Sequence, residues 1–204
     1  MKRIFDLSLS CVLLIVLAPA MVLIAIAIVA RLGRPLLFRQ TRAGLHAEPF
    51  TLFKFQTMQS SGAAGSTAPD SERMTPLGSW LRSMSLDELP QLWNVIRGEM
   101  SLVGPRPLFM EYVSYHTPQQ MRRYEVRPGL TGWAQVNGRN ALTWTQKFQY
   151  DTWYVDHRST RLDLRILGRT VGQVLTRRGI AGPGSATMEP FRGTDSAGDA
   201  PTPR

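Results

Sequence analysis

The chain opens with its longest apolar stretch. From Cys11 to Ala30 every residue is apolar or Pro19, and basic residues flank the run, Lys2 and Arg3 before it and Arg31 and Arg34 after it. Three readings fit this pattern. A signal peptide would use "MKR" as its charged start and Ala18-Pro19-Ala20 as a small-residue cleavage site, but the apolar run continues ten residues past Ala20 and Asp6 sits in the charged start. A spanning helix from Leu7 to Ala30 would measure about 36 Å against a hydrocarbon core of about 30 Å. Its like-charged flanks would then give no preferred direction. A re-entrant hairpin would turn at Ala18-Pro19, where proline removes a backbone donor and disfavours helix in the preceding residue. Both flanks would then lie on one side. The residue pattern leaves the second and third readings open.

After Arg34 the periodicities change. "PLLFRQTRAG" and "PFTLFKFQTM", separated by the polar "LHAE", predict a β-hairpin. Residues 59–70 are rich in Gly, Ser and Ala and predict a loop. Thr75-Pro76 opens a helix to about Met84, and Thr117-Pro118 opens a short one. A helix follows "SLDE" and ends at Gly98. "VRPGLTGWAQVNGRN" (126–140) carries three glycines and a proline and predicts irregular backbone. Residues 143–157 and 162–178 predict helices. On the second, Leu162, Ile166, Leu167, Val171, Val174 and Leu175 share one side, with Arg158, Arg161, Arg165 and Arg169 on another. That arginine row suits a solvated face or a helix lying on an anionic membrane surface. The fold expected is α+β: a membrane segment over 1–34, a small, mostly helical catalytic domain over 35–192 with one short β-hairpin and interfacial helices, and a disordered tail over 193–204.

Charge and cysteine content narrow the class. The 204-residue chain carries a formal net charge of +9, and residues 1–58 hold seven Lys/Arg against two acids. Such a surface suits nucleic acid, anionic lipid or phosphorylated substrates. No RNA-binding or zinc-finger spacing is present, which leaves lipid and phosphate. Cys11 is the only cysteine, so no disulfide forms within the chain. His46, His116 and His157 lack metal-ligand spacing and read as structural.

The densest chemistry lies in "RSMSLDELPQLWNVIRG" (82–98). Ser85 and Glu88 have capping-box spacing, but Pro90 would then fall in the second turn, where it clashes. A helix beginning near Pro90 instead leaves Asp87 and Glu88 just ahead of its N-terminus, where the dipole favours their ionised forms. An ionised aspartate can attack phosphorus, and the neighbouring glutamate can hold a divalent cation. Lys54, Arg82, Arg106 in "GPRP", Arg127 in "RPG" and Arg139 in "NGRN" supply cations, several in Gly/Pro-rich segments that let backbone approach a ligand. Together they point to a diphosphate substrate with Mg²⁺. No Walker A sequence or kinase-type glycine loop is present.

In this order "KRIFD", the proline-broken apolar run, "PLLFRQTRAG", "FKFQTM", "RSMSLDELPQLWNV", "MSLVGPRPL", "RPGLTGWAQVNGRN" and "LDL" (162–164) resemble the bacterial sugar transferase family, the small monotopic phosphoglycosyl transferases, over about residues 2–192. The resemblance implies a re-entrant helix–break–helix at Ala18-Pro19, in one leaflet on the cytosolic face of the bacterial inner membrane. It implies that Asp87 attacks the sugar-linked phosphorus of a UDP-sugar, releasing UMP, and that undecaprenyl phosphate accepts the sugar phosphate. Glu88 would bind Mg²⁺, Lys54, Arg82, Arg106 and Arg139 would contact phosphate, and Arg127 and Asp163 would support the site. The ending "GSATMEPFRG" is similar to that of members which transfer phospho-diacetylbacillosamine, implying an N-acetylated amino or deoxy sugar. Two positions depart from the family pattern: the break is Ala-Pro where Ser-Pro is frequent, and Gln56 stands where a basic residue is common. The competing classes are a glycosyltransferase that moves the sugar alone and releases UDP, and a non-catalytic membrane scaffold.

Overall fold

A computed structural model describes residues 2–59, 73–138 and 141–176, together with Phe191 and Gly193. The expected loop over 59–70 beyond Gln59, Arg139 and, apart from Gly193, the tail lie outside the described residues. The helical character and the β-hairpin are as expected. Helix α1 (Lys2–Leu32) is followed by strands β1 (Leu37–Ala43) and β2 (Pro49–Phe55), then α2 (Pro76–Ser83) and α3 (Gln91–Arg97). Strand β3 (Ser101–Val103), the short helix α4 (Pro118–Met121), β4 (Gly129–Thr131), the helical turn α5 (Trp133–Val136), α6 (Trp144–His157) and α7 (Thr160–Thr176) complete the order.

α1 is one uninterrupted helix with Pro19 inside it, so the expected break of the helix at Ala18-Pro19 is not present as an interruption. Proline removes a single N–H···O=C bond, and its neighbours in an apolar helix keep their own bonds, so the helix continues through it. The ends of α1 are tied to the rest of the chain. Arg3 donates to the carbonyls of Val95 (2.6 Å) and Ile96 (2.9 Å), and so covers the C-terminal end of α3. Buried Asp6 accepts from Ser101 Oγ (2.8 Å) and from the Leu102 amide (3.3 Å). Lys2 pairs with Asp163 at 2.6 Å. These bonds give the charged start a structural task, unlike the removable leader of a signal peptide. At the other end, Ile24 and Ile28 pack with Phe55 and Leu81. Between these anchors Ile15, Val16, Ala18, Pro19 and Ala20 are exposed.

β1 and β2 pair antiparallel, with Phe38 opposite Lys54 and Arg42 opposite Phe50. Phe38, Gln40, Arg42, Phe50, Leu52 and Lys54 therefore share one face, and Leu37, Arg39, Phe53 and Phe55 the other. β3 and β4 pair in parallel. This corrects the irregular backbone expected over 126–140, which holds a strand and a helical turn. Its glycines serve backbone-to-backbone packing. A Cβ on Gly104 would lie 2.4 Å from the Arg127 carbonyl oxygen, and one on Gly129 would lie 2.1 Å from the Gly104 nitrogen. "VGPRP" and "RPGLTG" are thus pressed against each other, rather than opened for a ligand. The main core gathers Leu52, Leu92, Val95, Met100, Leu102, Tyr154 and Ile166, with Phe5 and Leu9 of α1 against it.

Candidate active site

The dyad sits in a sharp turn between α2 and α3. Thr75 caps α2 by accepting from the Gly78 amide (3.0 Å), as Thr-Pro at a helix start predicts. α2 ends at Ser83. Ser85 then takes a left-handed conformation (φ 55°), and a single 3₁₀ turn over Leu86–Glu88 leads into α3. The capping box of Ser85 and Glu88 does not form, and Pro90 occupies the position just before α3. A non-glycine residue at positive φ is costly, and here it reverses the chain so that Asp87 and Glu88 face the hairpin. Leu86 and Leu89 hold the turn down beside Phe55 and Leu81, and Leu92 continues into the main core.

Both carboxylates are buried, yet their surroundings differ. Glu88 Oε1 receives Lys54 Nζ at 2.7 Å and Arg106 Nη2 at 2.8 Å. Burial pushes its pKa up, but Arg106 and Lys54 outweigh burial and hold the carboxylate well below its usual range. Asp87 accepts no side-chain hydrogen bond among the described residues. Burial, and then the neighbouring Glu88 charge, push its pKa above the ordinary aspartate range, against the pull of Lys54, Arg82 and Arg106. One member of the pair is pinned and charged, and the other keeps its oxygens free for an incoming group.

The structure thus brings Lys54, Arg82 and Arg106 around the dyad. Arg82 is aimed by Thr57, whose Oγ1 accepts from its Nε at 2.9 Å. α2 lies directly on Thr57, since a Cβ on Gly78 would sit 1.8 Å from the Thr57 carbonyl oxygen. Arg106 is set by Arg123, which donates to the Arg106 carbonyl at 2.7 Å and forms a buried ion pair with Asp151 at 2.8 Å. Arg127 joins a different structure: its Nε donates to the Gly98 carbonyl at 2.8 Å, beyond the end of α3. Asp163 likewise binds Lys2 and the Tyr154 hydroxyl (2.7 Å), which seats the start of α1 and does not touch the dyad. Arg139 lies outside the described residues. Buried Gln56 donates to the Met58 carbonyl at 3.1 Å.

Sequence reasoning missed Thr57, Arg123, Asp151 and Arg42. Arg42 stands on the hairpin face that carries Lys54, with its guanidinium carbon 3.6 Å from the Phe109 ring centre. An arginine at an inward-facing strand position, in register with Phe50, was the available signal. Two of the histidines pack against aromatic rings: His116 on Tyr124 and Phe148, and His157 on Trp153 at 4.3 Å; His46 is exposed in the hairpin connection. Beside the dyad, on the other hairpin face, an apolar cleft of about 500 Å³ opens between α1 (Leu14, Met21, Ala25) and Phe53, Phe55, Pro90 and Trp93.

The buried carboxylate pair is ringed by guanidinium and ammonium groups, the donor types that match phosphate oxygens, and the chain carries one helix long and apolar enough to cross a membrane. The chain matches the bacterial sugar transferase family over residues 1–177, and it belongs to that family. It is 48% identical over 196 residues to the "Uncharacterized sugar transferase EpsL" of Bacillus subtilis (strain 168), covering 95% of this chain and 96% of that one. It is 42% identical to the "UDP-glucose:undecaprenyl-phosphate glucose-1-phosphate transferase" of Caulobacter vibrioides, covering 86% of this chain and 70% of the relative. It is 38% identical to the "Undecaprenyl-phosphate glucose phosphotransferase" of Komagataeibacter xylinus over 87% of this chain, but that match spans only 36% of the longer relative.

Proposed function

We propose that this protein transfers a sugar 1-phosphate from a UDP-sugar to undecaprenyl phosphate. The observation that carries the reading is the asymmetry of the dyad: Glu88 is fixed by Lys54 and Arg106, while Asp87 is buried beside them with its oxygens unengaged. In the first half-reaction an Asp87 carboxylate oxygen attacks the sugar-linked phosphorus. The phosphorus–oxygen bond to UMP breaks, and UMP leaves with the electron pair. An acyl phosphate remains on Asp87. In the second half, an oxygen of the lipid phosphate attacks the same phosphorus and Asp87 leaves as carboxylate. Arg82, Arg106 and Lys54 offset charge on the transferred phosphoryl group.

The donor set suits Mg²⁺. Among the described residues no group of three metal-ligating side chains occurs, but this ion is commonly held by one or two carboxylates with substrate phosphates and water. Glu88, through the oxygen not taken by Lys54 and Arg106, and Asp87 would hold it. When bound, Mg²⁺ neutralises charge on the diphosphate. Among relatives named for a sugar, several specify glucose and one, from Erwinia amylovora, specifies galactose, which supports a hexose 1-phosphate as cargo. They lend no support to the N-acetylated sugar, and the segment that suggested it lies almost wholly outside the described residues.

The seating of α1 supports the one-leaflet topology. Its outer thirds are both anchored on the same domain, leaving only residues 11–23 between buried Ser10 and Ile24. Thirteen helical residues reach about 20 Å, short of the roughly 30 Å hydrocarbon core. We therefore place the site at the cytosolic face of the inner membrane, with the apolar cleft turned toward lipid. Purified protein given UDP-glucose, undecaprenyl phosphate and Mg²⁺ should release UMP. Release of UDP would identify a glycosyltransferase that moves the sugar alone, and no release with any UDP-sugar would favour a scaffold.

A further inference from the structure

Arg42 has chemistry that the reaction described above does not use. It is partly buried and anchored. The Phe109 ring lies beneath its guanidinium at 3.6 Å, and the next residue, Ala43, donates its amide to the Leu108 carbonyl at 3.0 Å. That bond ties the end of β1 to the segment that carries Arg106. Yet among the described residues Arg42 has one hydrogen-bond partner, Gln40 Oε1 at 2.5 Å, and no carboxylate within ion-pair distance. Its Nε is buried and unpartnered. A guanidinium has five N–H donors in a planar fork, so most of its binding capacity is unused. Burial, and then the adjacent Arg106 charge, lower its pKa to about 10. Glu111 and Glu88 attract this guanidinium without reaching ion-pair distance, so an anion arriving here would find unused donors.

Position decides which anion. Arg106 touches Glu88, and Arg42 is tied through Ala43 and Phe109 to the segment that carries Arg106, so a phosphate held by both arginines would lie next to the phosphorus that Asp87 attacks. Arg42 occupies the hairpin face of Lys54 and Gln40. The apolar cleft and α1 lie against the opposite face, with Leu37, Arg39, Phe53 and Phe55. A lipid phosphate arriving with its chain in that cleft approaches from the other side. We propose that Arg42 and Arg106 form a second phosphate subsite, which holds the nucleotide phosphate of the UDP-sugar and of departing UMP. This assignment rests on the phosphoglycosyl reading above. Lys147, whose ammonium lies over the Trp144 ring at 5.1 Å, adds positive charge near Arg106.

The test is steady-state kinetics of the full chain in lipid nanodiscs, with UMP as inhibitor. Arg42→Gln should raise KM for the UDP-sugar about tenfold or more and weaken UMP inhibition by a similar factor. KM for undecaprenyl phosphate should stay within twofold. Arg42→Lys, which keeps the charge and the stem but loses the fork, should show a smaller shift in the same two constants; it carries the test if the Gln variant fails to fold. Unchanged UMP inhibition in both folded variants, or a shift confined to the KM of the lipid phosphate, would overturn the assignment while leaving the phosphoglycosyl reading intact. A wild-type enzyme that releases UDP would refute that reading, and this subsite with it.

Discussion

At the residue scale the account turns on two neighbouring carboxylates made unlike by their partners. Glu88→Gln removes the charge that Lys54 and Arg106 share, so it should slow formation of the sugar-phosphate adduct by a hundredfold or so without moving it from Asp87. Single-turnover UMP release checks this. Because burial and Glu88 raise the Asp87 pKa, the nucleophile is ionised only above that raised value. The single-turnover rate in the absence of Mg²⁺ should therefore fall as pH drops, with a midpoint above that of an ordinary aspartate near 4. Lys147 supplies the opposite limb. Burial, and then Arg106, bring its pKa down to about 8, so the ammonium is charged below that pH and lost above it. KM for the UDP-sugar should rise above about pH 8, and Lys147→Arg should flatten the rise. Asp87, Glu88, Lys54, Arg82 and Arg106, which the structure brings together, were legible in the sequence because an Asp-Glu pair ahead of a proline-opened helix stands out beside cations in strand and loop positions. Thr57, Arg123 and Asp151 were not, because each acts through a partner 17 or more positions away and nothing local marks the pairing. Arg123→Leu would strand Asp151 in the interior, a loss of about 3–5 kcal/mol for breaking a buried pair. Thermal unfolding measures it.

At the element scale, the starts and stops of helices were the most readable feature. Thr75 and Thr117 cap the helices they precede, and Gly98 ends α3 at φ 87°, as small polar residues, Pro and Gly at helix ends require. The parallel β3–β4 pair escaped, since three-residue strands carry no periodicity and their glycines look like loop. Pro19, where the residue pattern leaves a turn open and the family resemblance implies one, lies inside a continuous helix, because proline costs one donor and an apolar helix can absorb that. The glycines now separate into two kinds. At Gly104 a side chain would press into backbone of the opposing segment, so Gly104→Ala should destabilise by about 1–3 kcal/mol or more. Gly168 and Gly172 on α7 have open space around them, so either replaced by Ala should stabilise the helix by about 1 kcal/mol. Denaturation midpoints of the three variants, compared in one detergent, decide whether this division holds.

At the scale of the whole molecule, α1 is the candidate membrane helix and also a structural member. Its first turn caps α3, its polar face binds β3, and its last turns pack under the hairpin and α2. α1 and the dyad are thus connected through α3, whose N-terminus follows the dyad and whose C-terminus receives Arg3. If both ends of α1 lie on the cytosolic side, cysteines at positions 2 and 34, with Cys11 replaced by Ser, should both resist a membrane-impermeant reagent added outside intact cells. Labelling at one position alone would mean that the helix spans. The central claim is that Asp87 carries the sugar phosphate between donor and acceptor. Intact-protein mass spectrometry of enzyme mixed with UDP-sugar and Mg²⁺, with no lipid phosphate, measures it most directly. We predict one added sugar phosphate per active chain, mapped to Asp87, lost on addition of undecaprenyl phosphate and absent from Asp87→Asn. An adduct on any other residue, or full turnover by Asp87→Asn, would contradict the account.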